Sequence, residues 1–113
     1  MSPAGTIRRF GLRVAHGPWA AYVALSAQPA GRLIVALGRS AGGAVTRSRI
    51  RRIARDLFRP MRDTSSGIDV LLLARDNIGQ EPRRNVRRVL QALFERGGHA
   101  LTKQNSSRIE MGG

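Results

Sequence analysis

The chain has 113 residues and a formal net charge of +13, since 20 arginine and lysine residues stand against seven aspartate and glutamate residues. The length suits one domain, and the 42% of hydrophobic residues provides one modest, mainly aliphatic core. So large a charge predicts a polyanionic partner. The sequence lacks cysteine, which excludes disulfide bonds and thiolate metal sites, and it lacks an apolar run long enough to span a membrane.

Three features bear on the kind of polyanion and on the compartment. No stretch predicts a helix with one basic and one bulky aromatic face, which argues against a membrane surface as the partner. The N-terminal stretch MSPAGTIRRF lacks the apolar centre of a signal peptide, so we predict a cytoplasmic protein. Lys103 is the only lysine. Two reasons can explain the use of arginine in place of lysine: arginine binds phosphate bidentately, and a genome rich in G and C favours arginine codons.

The N-terminal segment is predicted to begin with a helix. Ile7, Phe10 and Val14 recur at the i, i+3, i+7 spacing of one helical face, which places a helix over residues 6–15. Gly11 weakens this prediction, because glycine inside a helix costs up to about 1 kcal/mol.

Two apolar segments, residues 19–27 and 32–38, each predict a strand. Gly17-Pro18 separates the helix from the first strand, and residues 28–31 supply proline and glycine for a turn. The two strands are therefore expected to form a hairpin.

The most informative stretch is residues 42–59, GGAVTRSRIRRIARDLFR. Its spacing predicts an amphipathic helix that Thr46 caps and Pro60 ends. The predicted buried stripe consists of Ile50, Ile53, Leu57 and Phe58. The predicted solvent face consists of Arg51, Arg52, Arg55 and Arg59, with Arg47 and Arg49 beside the first turn.

This helix carries like charges where most solvated helices pair opposite ones. Seven arginines and one acid, Asp56, lie within residues 47–62. Like charges four residues apart repel each other, at roughly a few tenths of a kcal/mol per pair. An anionic nucleic acid would remove that repulsion, so the pattern favours a nucleic-acid-binding surface over an ordinary solvated helix. Asp56 is expected to form an ion pair with Arg52 or Arg59.

The C-terminal part is predicted to hold one strand and one helix. Residues 69–74, DVLLLA, are typical of a central strand covered on both faces. An amphipathic helix is predicted over residues 81–96, begun by Pro82 and stopped by the glycine pair at Gly97, before a disordered tail at residues 98–113. Its predicted buried stripe is Val86, Val89, Leu90, Leu93 and Phe94. Its predicted solvent face is Arg83, Arg84, Arg87 and Arg88.

The polar residues offer no catalytic centre. A protein nuclease needs clustered carboxylates that hold a metal ion, or a histidine with a partner. The seven acidic residues are dispersed one by one, and His16 and His99 lack ligand spacing. The glycine pair at Gly42 is not followed by the Gly-Lys-Ser/Thr of a P-loop. We therefore predict no catalytic residue and no metal bound by the protein alone.

The arginine-rich stretch resembles the protein subunit of bacterial ribonuclease P. That family's signature runs from a lysine pair through Ala-Val and Arg-Asn-Arg to Lys-Arg, Arg-Glu and Phe-Arg. The matching positions are Arg39-Ser40, Gly42, Ala44-Val45, Arg47-Ser48-Arg49, Ile50, Arg51-Arg52, Arg55-Asp56 and Phe58-Arg59. Their spacing is kept, with two departures: Ser40 replaces the second lysine and Ser48 replaces the asparagine.

Weaker similarity extends the resemblance over residues 9–97, within a single domain that we place at residues 1–97. The further matching positions are Phe10, Val14, Gly17, Arg32, Gly67 and Asp69. The resemblance implies an α/β two-layer sandwich of order α-β-β-β-α-β-α, with a small mixed sheet. It also implies a left-handed βαβ crossover, against the general right-handed rule. This order has one strand more than the residue pattern, so we expect that residues 19–38 conceal a third strand or that the first turn is misplaced.

The resemblance also implies a role in tRNA processing. In the family, the RNA subunit performs the hydrolysis with Mg²⁺, and the protein assists removal of the 5′ leader from precursor tRNA. The implied partners are the catalytic RNA and that leader, with no membrane and no small-molecule substrate. Two other interpretations remain open: a non-enzymatic basic RNA-binding or ribosome-associated protein of the same fold, and a DNA-binding regulator, which strands interleaved with helices disfavour.

Two binding surfaces follow from the resemblance. The catalytic RNA is expected on Arg39, Arg47, Ser48, Arg49, Arg51, Arg52, Arg55 and Arg59. The leader is expected in a cleft between the first helix and the sheet, lined by Phe10 and Tyr22, with Val14 where the family has a second aromatic residue. The alternative for Phe10 is packing in the core.

Overall fold

The computed structural model describes residues 3–26, 31–64, 67–75, 78 and 81–112. The elements in chain order are helix α1 (Pro3–Phe10), strands β1 (Leu12–His16), β2 (Trp19–Leu25) and β3 (Leu33–Ala36), a 3₁₀ turn (Arg39–Ala41), helix α2 (Ala44–Thr64), strand β4 (Ile68–Ala74) and helix α3 (Arg83–Gly112). This order confirms the expected α-β-β-β-α-β-α fold.

The four strands form one mixed sheet in the order β1-β2-β4-β3. β2 pairs antiparallel with both β1 and β4, whereas β3 and β4 are parallel. β4 lies between two strands and its central residues are buried, as its continuous apolar sequence predicts. Helix α2 joins the parallel pair, so β3, α2 and β4 form the expected βαβ unit. The hand of that crossover stays a prediction.

The main core lies between one face of the sheet and helices α2 and α3. Residues of each strand reach it alternately, as the pleat of a strand requires. The fully buried contributors from the sheet and from α3 include Val23, Val70, Leu72, Val86, Leu90, Leu93 and Phe94. Helix α1 contacts β2 and β4, and its Ile7 is buried together with Ala20 and Leu71 outside the main core. The large helices and the sheet therefore form the predicted two layers, with the short α1 on the other face.

The predicted helix over residues 6–15 is wrong in its second half. Helix α1 ends at Phe10, and β1 is the strand that the residue pattern did not show. Gly11 joins α1 to β1 at a point where a larger residue does not fit. A Cβ at this position would lie only 2.8 Å from the Val23 carbonyl oxygen. The residues on either side of Arg13 pack against the core while Arg13 is exposed, which is the alternation of a strand.

The predicted hairpin between residues 19–27 and 32–38 is also wrong. The hairpin that forms joins β1 and β2 through Gly17-Pro18, and Gly17 has a φ of 58°, as hairpin turns of the primed types require. Strand β4 separates β2 from β3. Only a central position buries the apolar residues on both faces of β4, and this outweighs the sequence proximity of β2 and β3. Most of the predicted turn, residues 28–30, lies outside the described residues.

Strand β3 is tied to β4 at its start. Asp69 is only 5% exposed; its carboxylate accepts a hydrogen bond from the Arg32 backbone N–H at 2.9 Å and pairs with the Arg32 guanidinium at 3.6 Å. The chain also approaches β4 so closely at Gly31 that a Cβ there would overlap the Ile68 carbonyl oxygen. These contacts fix the parallel register of β3 against β4.

Helix α2 begins earlier and ends later than predicted. The Arg47 N–H donates to the Gly43 carbonyl oxygen at 3.0 Å, so Gly43 and not Thr46 occupies the capping position. The helix also continues through Pro60 to Thr64, whereas we expected it to stop there. An interior proline removes one helical hydrogen bond and can kink a helix without ending it.

Helix α3 passes through the glycine pair that was predicted to stop it. Gly97 is buried, and a Cβ there would lie 2.8 Å from Val23 Cγ1. The glycine therefore allows α3 to approach the sheet closely, and Leu101 continues the buried stripe one turn later. The backbone is helical as far as Gly112, so the predicted end of the helix at Gly97 is wrong. The domain bounds of 1–97 and the disordered tail at residues 98–113 stay predictions.

Candidate nucleic-acid interface

The outer side of α2 presents the arginine surface that the sequence predicts. Arg52, Arg55 and Arg59 are exposed and Arg51 is half-buried. The opposite side is buried through Ile50, Ile53, Ala54 and Phe58, whereas the predicted Leu57 is half-buried. Asp56 pairs with Arg59 at 3.9 Å, which confirms the expected ion pair; both side chains are largely exposed, so the pair contributes little to stability. The surface keeps most of its positive charge for an external anion.

The first turns of α2 carry the remaining predicted residues of this surface. Ser48 is exposed, while Arg47 and Arg49 are half-buried. The Arg47 Nε is buried and has no hydrogen-bond acceptor among the described residues. Arg39 is exposed in the 3₁₀ turn before α2. That turn is anchored because Ala41 is buried and its carbonyl oxygen accepts a hydrogen bond from the Ile78 N–H at 3.0 Å.

The arginines of α2 line two different depressions. One, of about 450 Å³, lies between α2 and α3 and is here called the α2–α3 groove. Its lining residues are Ala44, Val45, Ser48, Arg49, Arg52, Ile53, Asp56, Arg83 and Arg87. The other, of about 710 Å³, lies between α2 and the β3 edge and includes Arg51, Arg55 and Phe58. Successive arginines of α2 thus face opposite sides of the helix.

Arg83 and Arg87 are the site candidates that sequence reasoning missed. We placed them on the solvent face of α3 but did not connect them with α2. Their spacing of four residues repeats the like-charge pattern of α2, which is the sequence signal that points to them. Only the packing of α3 beside α2 brings them to Ser48, Arg49 and Arg52.

A second surface lies where α1 meets the outer face of the sheet. Phe10, at the end of α1, is 71% exposed, so its alternative role in the core is wrong. Tyr22 is half-buried on β2, and the Arg8 guanidinium carbon lies 6.0 Å from the centre of its ring. Arg13 is exposed and stands opposite Tyr22 in the β1–β2 pairing. Aromatic rings flanked by arginines are the usual platform for unpaired bases.

Val14 does not lie on this second surface. It packs against the main core, and its methyl carbon Cγ2 is 3.6 Å from the position of a Cβ at Gly97 of α3. Neighbouring residues of a strand point to opposite faces, so Arg13 and Val14 cannot share one. The structure therefore separates Val14 from Tyr22, with which the sequence analysis had grouped it.

The acidic residues and histidines of the described part of the chain are not gathered into a metal site. No group of three histidine, aspartate or glutamate side chains within residues 3–112, apart from the undescribed positions, is placed to hold a metal ion. His16 and His99 are exposed. In the described part of the chain, no helix has the length and apolarity needed to cross a bilayer.

These features define a basic α+β protein of the nucleic-acid-binding class. They are the mixed four-stranded sheet, the helical layer lined with arginines and the exposed aromatic surface. The chain belongs to the ribonuclease P family, whose model matches residues 5–98. It is 41% identical over 66 residues to the ribonuclease P protein component of Desulforapulum autotrophicum. That match covers 58% of this chain and spans only 56% of the relative's length.

Solved structures of the same family share the fold. The ribonuclease P protein of Staphylococcus aureus superposes with a TM-score of 0.72 at 20% identity, covering 84% of this chain and 90% of that one. The protein from Thermotoga maritima superposes with a TM-score of 0.70 at 20% identity, covering 83% of this chain and 90% of that one. The resemblance noted from the arginine-rich signature is thereby confirmed at the level of family and fold.

Proposed function

We propose that this chain is the protein subunit of a ribonuclease P holoenzyme, in which it assists the catalytic RNA in removing the 5′ leader from precursor tRNA. The observation that carries the proposal is the exposed arginine face of α2, on a chain of this family and fold. As the family resemblance implies, hydrolysis with Mg²⁺ is assigned to the RNA in this proposal. No metal is placed on the protein, because its described carboxylates and imidazoles do not cluster.

The α2 surface is assigned to the catalytic RNA. It comprises Arg39, Arg47, Ser48, Arg49, Arg51, Arg52, Arg55 and Arg59. Arginine guanidinium groups bind phosphate oxygens bidentately, and bound phosphate would also relieve the repulsion among these side chains.

The α1 surface is assigned to the 5′ leader. Phe10 and Tyr22 provide rings on which unpaired bases can stack, and Arg8 and Arg13 provide positive charge beside them. Val14 is left out of this assignment, since it packs into the core. A cytoplasmic location, where tRNA precursors are processed, remains part of the proposal.

Reconstitution tests the proposed function. The chain is mixed with its cognate catalytic RNA and precursor tRNA at a low Mg²⁺ concentration at which the RNA alone cleaves slowly. We expect faster cleavage at the leader junction, because the basic protein replaces part of the screening that Mg²⁺ otherwise provides. Tight RNA binding without any acceleration of cleavage would contradict the proposal and favour a non-enzymatic RNA-binding protein of the same fold.

A further inference from the structure

Helix α3 carries a second arginine cluster outside the family signature. Arg83, Arg84, Arg87 and Arg88 are all exposed in its first two turns, and that first turn contains no acidic residue. Among the described residues, none of the four has an ion-pair partner. Both pairs four residues apart repel each other, and all four charges stand at the positive end of the helix dipole. This arrangement disfavours the free helix, so a bound anion would stabilise it.

Two of the four side chains line the α2–α3 groove and two do not. Arg83 and Arg87 line the α2–α3 groove opposite Arg49 and Arg52. Arg84 and Arg88 do not line the groove; they line another depression on α3, which Arg87 borders as well. Two helices therefore place positive charge on both walls of one groove.

The groove also has apolar lining residues, Ala44, Val45 and Ile53. Ile53 is buried, whereas the Val45 side chain is 84% exposed. A strand of RNA backbone matches this combination, because its phosphates can meet the two arginine walls while a ribose contacts the apolar lining residues. An acidic protein surface would match the walls equally well, but Arg49 and Arg52 of the groove also belong to the α2 surface assigned to the catalytic RNA, and this continuity favours the RNA.

We propose that the α2–α3 groove holds a stretch of phosphate backbone of the catalytic RNA, clamped from one wall by Arg49 and Arg52 and from the other by Arg83 and Arg87. This inference rests on the proposed function and extends it: α3 becomes a second RNA-binding element. Binding through both helices fixes the orientation of the protein on the RNA, which binding along α2 alone would leave free to rotate.

The test compares two double variants that remove the same charge from the same helix turns. Arg83→Gln with Arg87→Gln removes the groove wall, and Arg84→Gln with Arg88→Gln is the matched control. Glutamine is a good helix former, so both variants should keep the fold, which circular dichroism and thermal melting check. Affinity for the catalytic RNA is measured at several salt concentrations, with Arg52→Gln as a reference for the α2 wall.

We expect the groove variant to lower affinity for the catalytic RNA about tenfold or more, since it removes two charge-assisted hydrogen-bonding groups. It should also reduce the slope of log affinity against log salt by about two, one for each phosphate that the variant no longer neutralises. The control pair should lower affinity far less. Arg52→Gln and the groove variant combined should lose less than the sum of their separate effects, because both grip the same strand.

Three results would overturn the inference. If the two double variants weaken RNA binding equally while Arg52→Gln weakens it more, α3 contributes only general charge, and the proposed function survives. If the groove variant weakens binding of precursor tRNA but not of the catalytic RNA, the groove holds the substrate instead. If the wild-type chain neither binds the catalytic RNA nor accelerates cleavage, the proposed function fails and the groove assignment fails with it.

Discussion

The two candidate surfaces lie on opposite sides of the sheet and differ in physical character. The side that carries α2 and α3, here called the helical side, gathers arginines from both helices around apolar residues that include the exposed Val45. The α1 side has fewer charges but carries Phe10 and Tyr22. Charge binds any phosphate backbone and weakens as salt rises, whereas stacking needs unpaired bases and depends little on salt. This difference predicts that one surface recognises a folded RNA and the other a single strand.

The largest expected effect comes from removing charge at the middle of α2. Arg51→Ala with Arg52→Ala should weaken binding to the catalytic RNA about a hundredfold, because each charge-assisted hydrogen bond contributes about 1.5 kcal/mol or more. The loss should be the same whether or not precursor tRNA is present. Filter binding over a range of salt concentrations measures it, and the wild-type plot should be steep.

The matching control for that variant is Arg84→Ala with Arg88→Ala, which removes equal charge from the outer side of α3. A similar loss of affinity in the control would mean that net charge alone governs binding. A flat plot of log affinity against log salt for the wild-type chain would contradict the electrostatic character of the whole helical side.

The next effect concerns the aromatic surface. Phe10→Ala should weaken binding of precursor tRNA to the holoenzyme by about 1–3 kcal/mol, the value of one base stacked on an aromatic ring. Binding of mature tRNA, which has no leader, should barely change. The melting temperature should also stay constant, because Phe10 is largely exposed. Equal losses for precursor and mature tRNA would remove the leader from this surface and leave the α2 assignment standing.

The next prediction concerns the close packing of α3 on the sheet at Gly97. Gly97→Ala places a Cβ 2.8 Å from Val23 Cγ1, and overpacking of this kind costs about 1–3 kcal/mol, partly offset by the helix preference of alanine. A net loss of about 1 kcal/mol should lower the melting temperature by about 4–8 °C. Gly38→Ala is the control, since its backbone is extended and a Cβ there meets only the distant Ser40 hydroxyl. An unchanged melting temperature for Gly97→Ala would mean that α3 does not need this close approach.

The smallest effect is expected at Ser48. The family signature has asparagine here, and Ser48 is exposed beside the α2–α3 groove, where the longer amide has room. Ser48→Asn should therefore keep or improve cleavage at low Mg²⁺, because the amide offers both a donor and an acceptor. Cleavage rates with the wild-type and variant chains measure this. A loss of more than about tenfold, about 1.4 kcal/mol in the barrier, would indicate that α2 meets the RNA differently here.

The errors of sequence analysis fall where a local pattern fits two structures. Val14 completes a helical spacing with Ile7 and Phe10, yet it also alternates with exposed Arg13 in β1. Gly97 resembles a helix stop, yet it permits close packing of α3 on Val23. Propensity cannot distinguish these cases, because the deciding contacts come from residues far away in the chain. The same limit hid Arg83 and Arg87, which the sequence places on a solvent face but cannot place beside Arg52.

The sequence by itself determined the basic character, the two-sided helix within residues 42–59, the buried strand β4 and the family. Charge, periodicity and motif spacing are properties of neighbouring residues, so they can be read from the sequence. Tertiary structure alone decided that β4 separates β2 from β3, that Phe10 is exposed while Val14 packs against the core, and that two helices share one groove. Each of these outcomes depends on which elements bury one another's apolar faces. That choice minimises the exposed apolar surface of the whole chain and is not a property of any single segment.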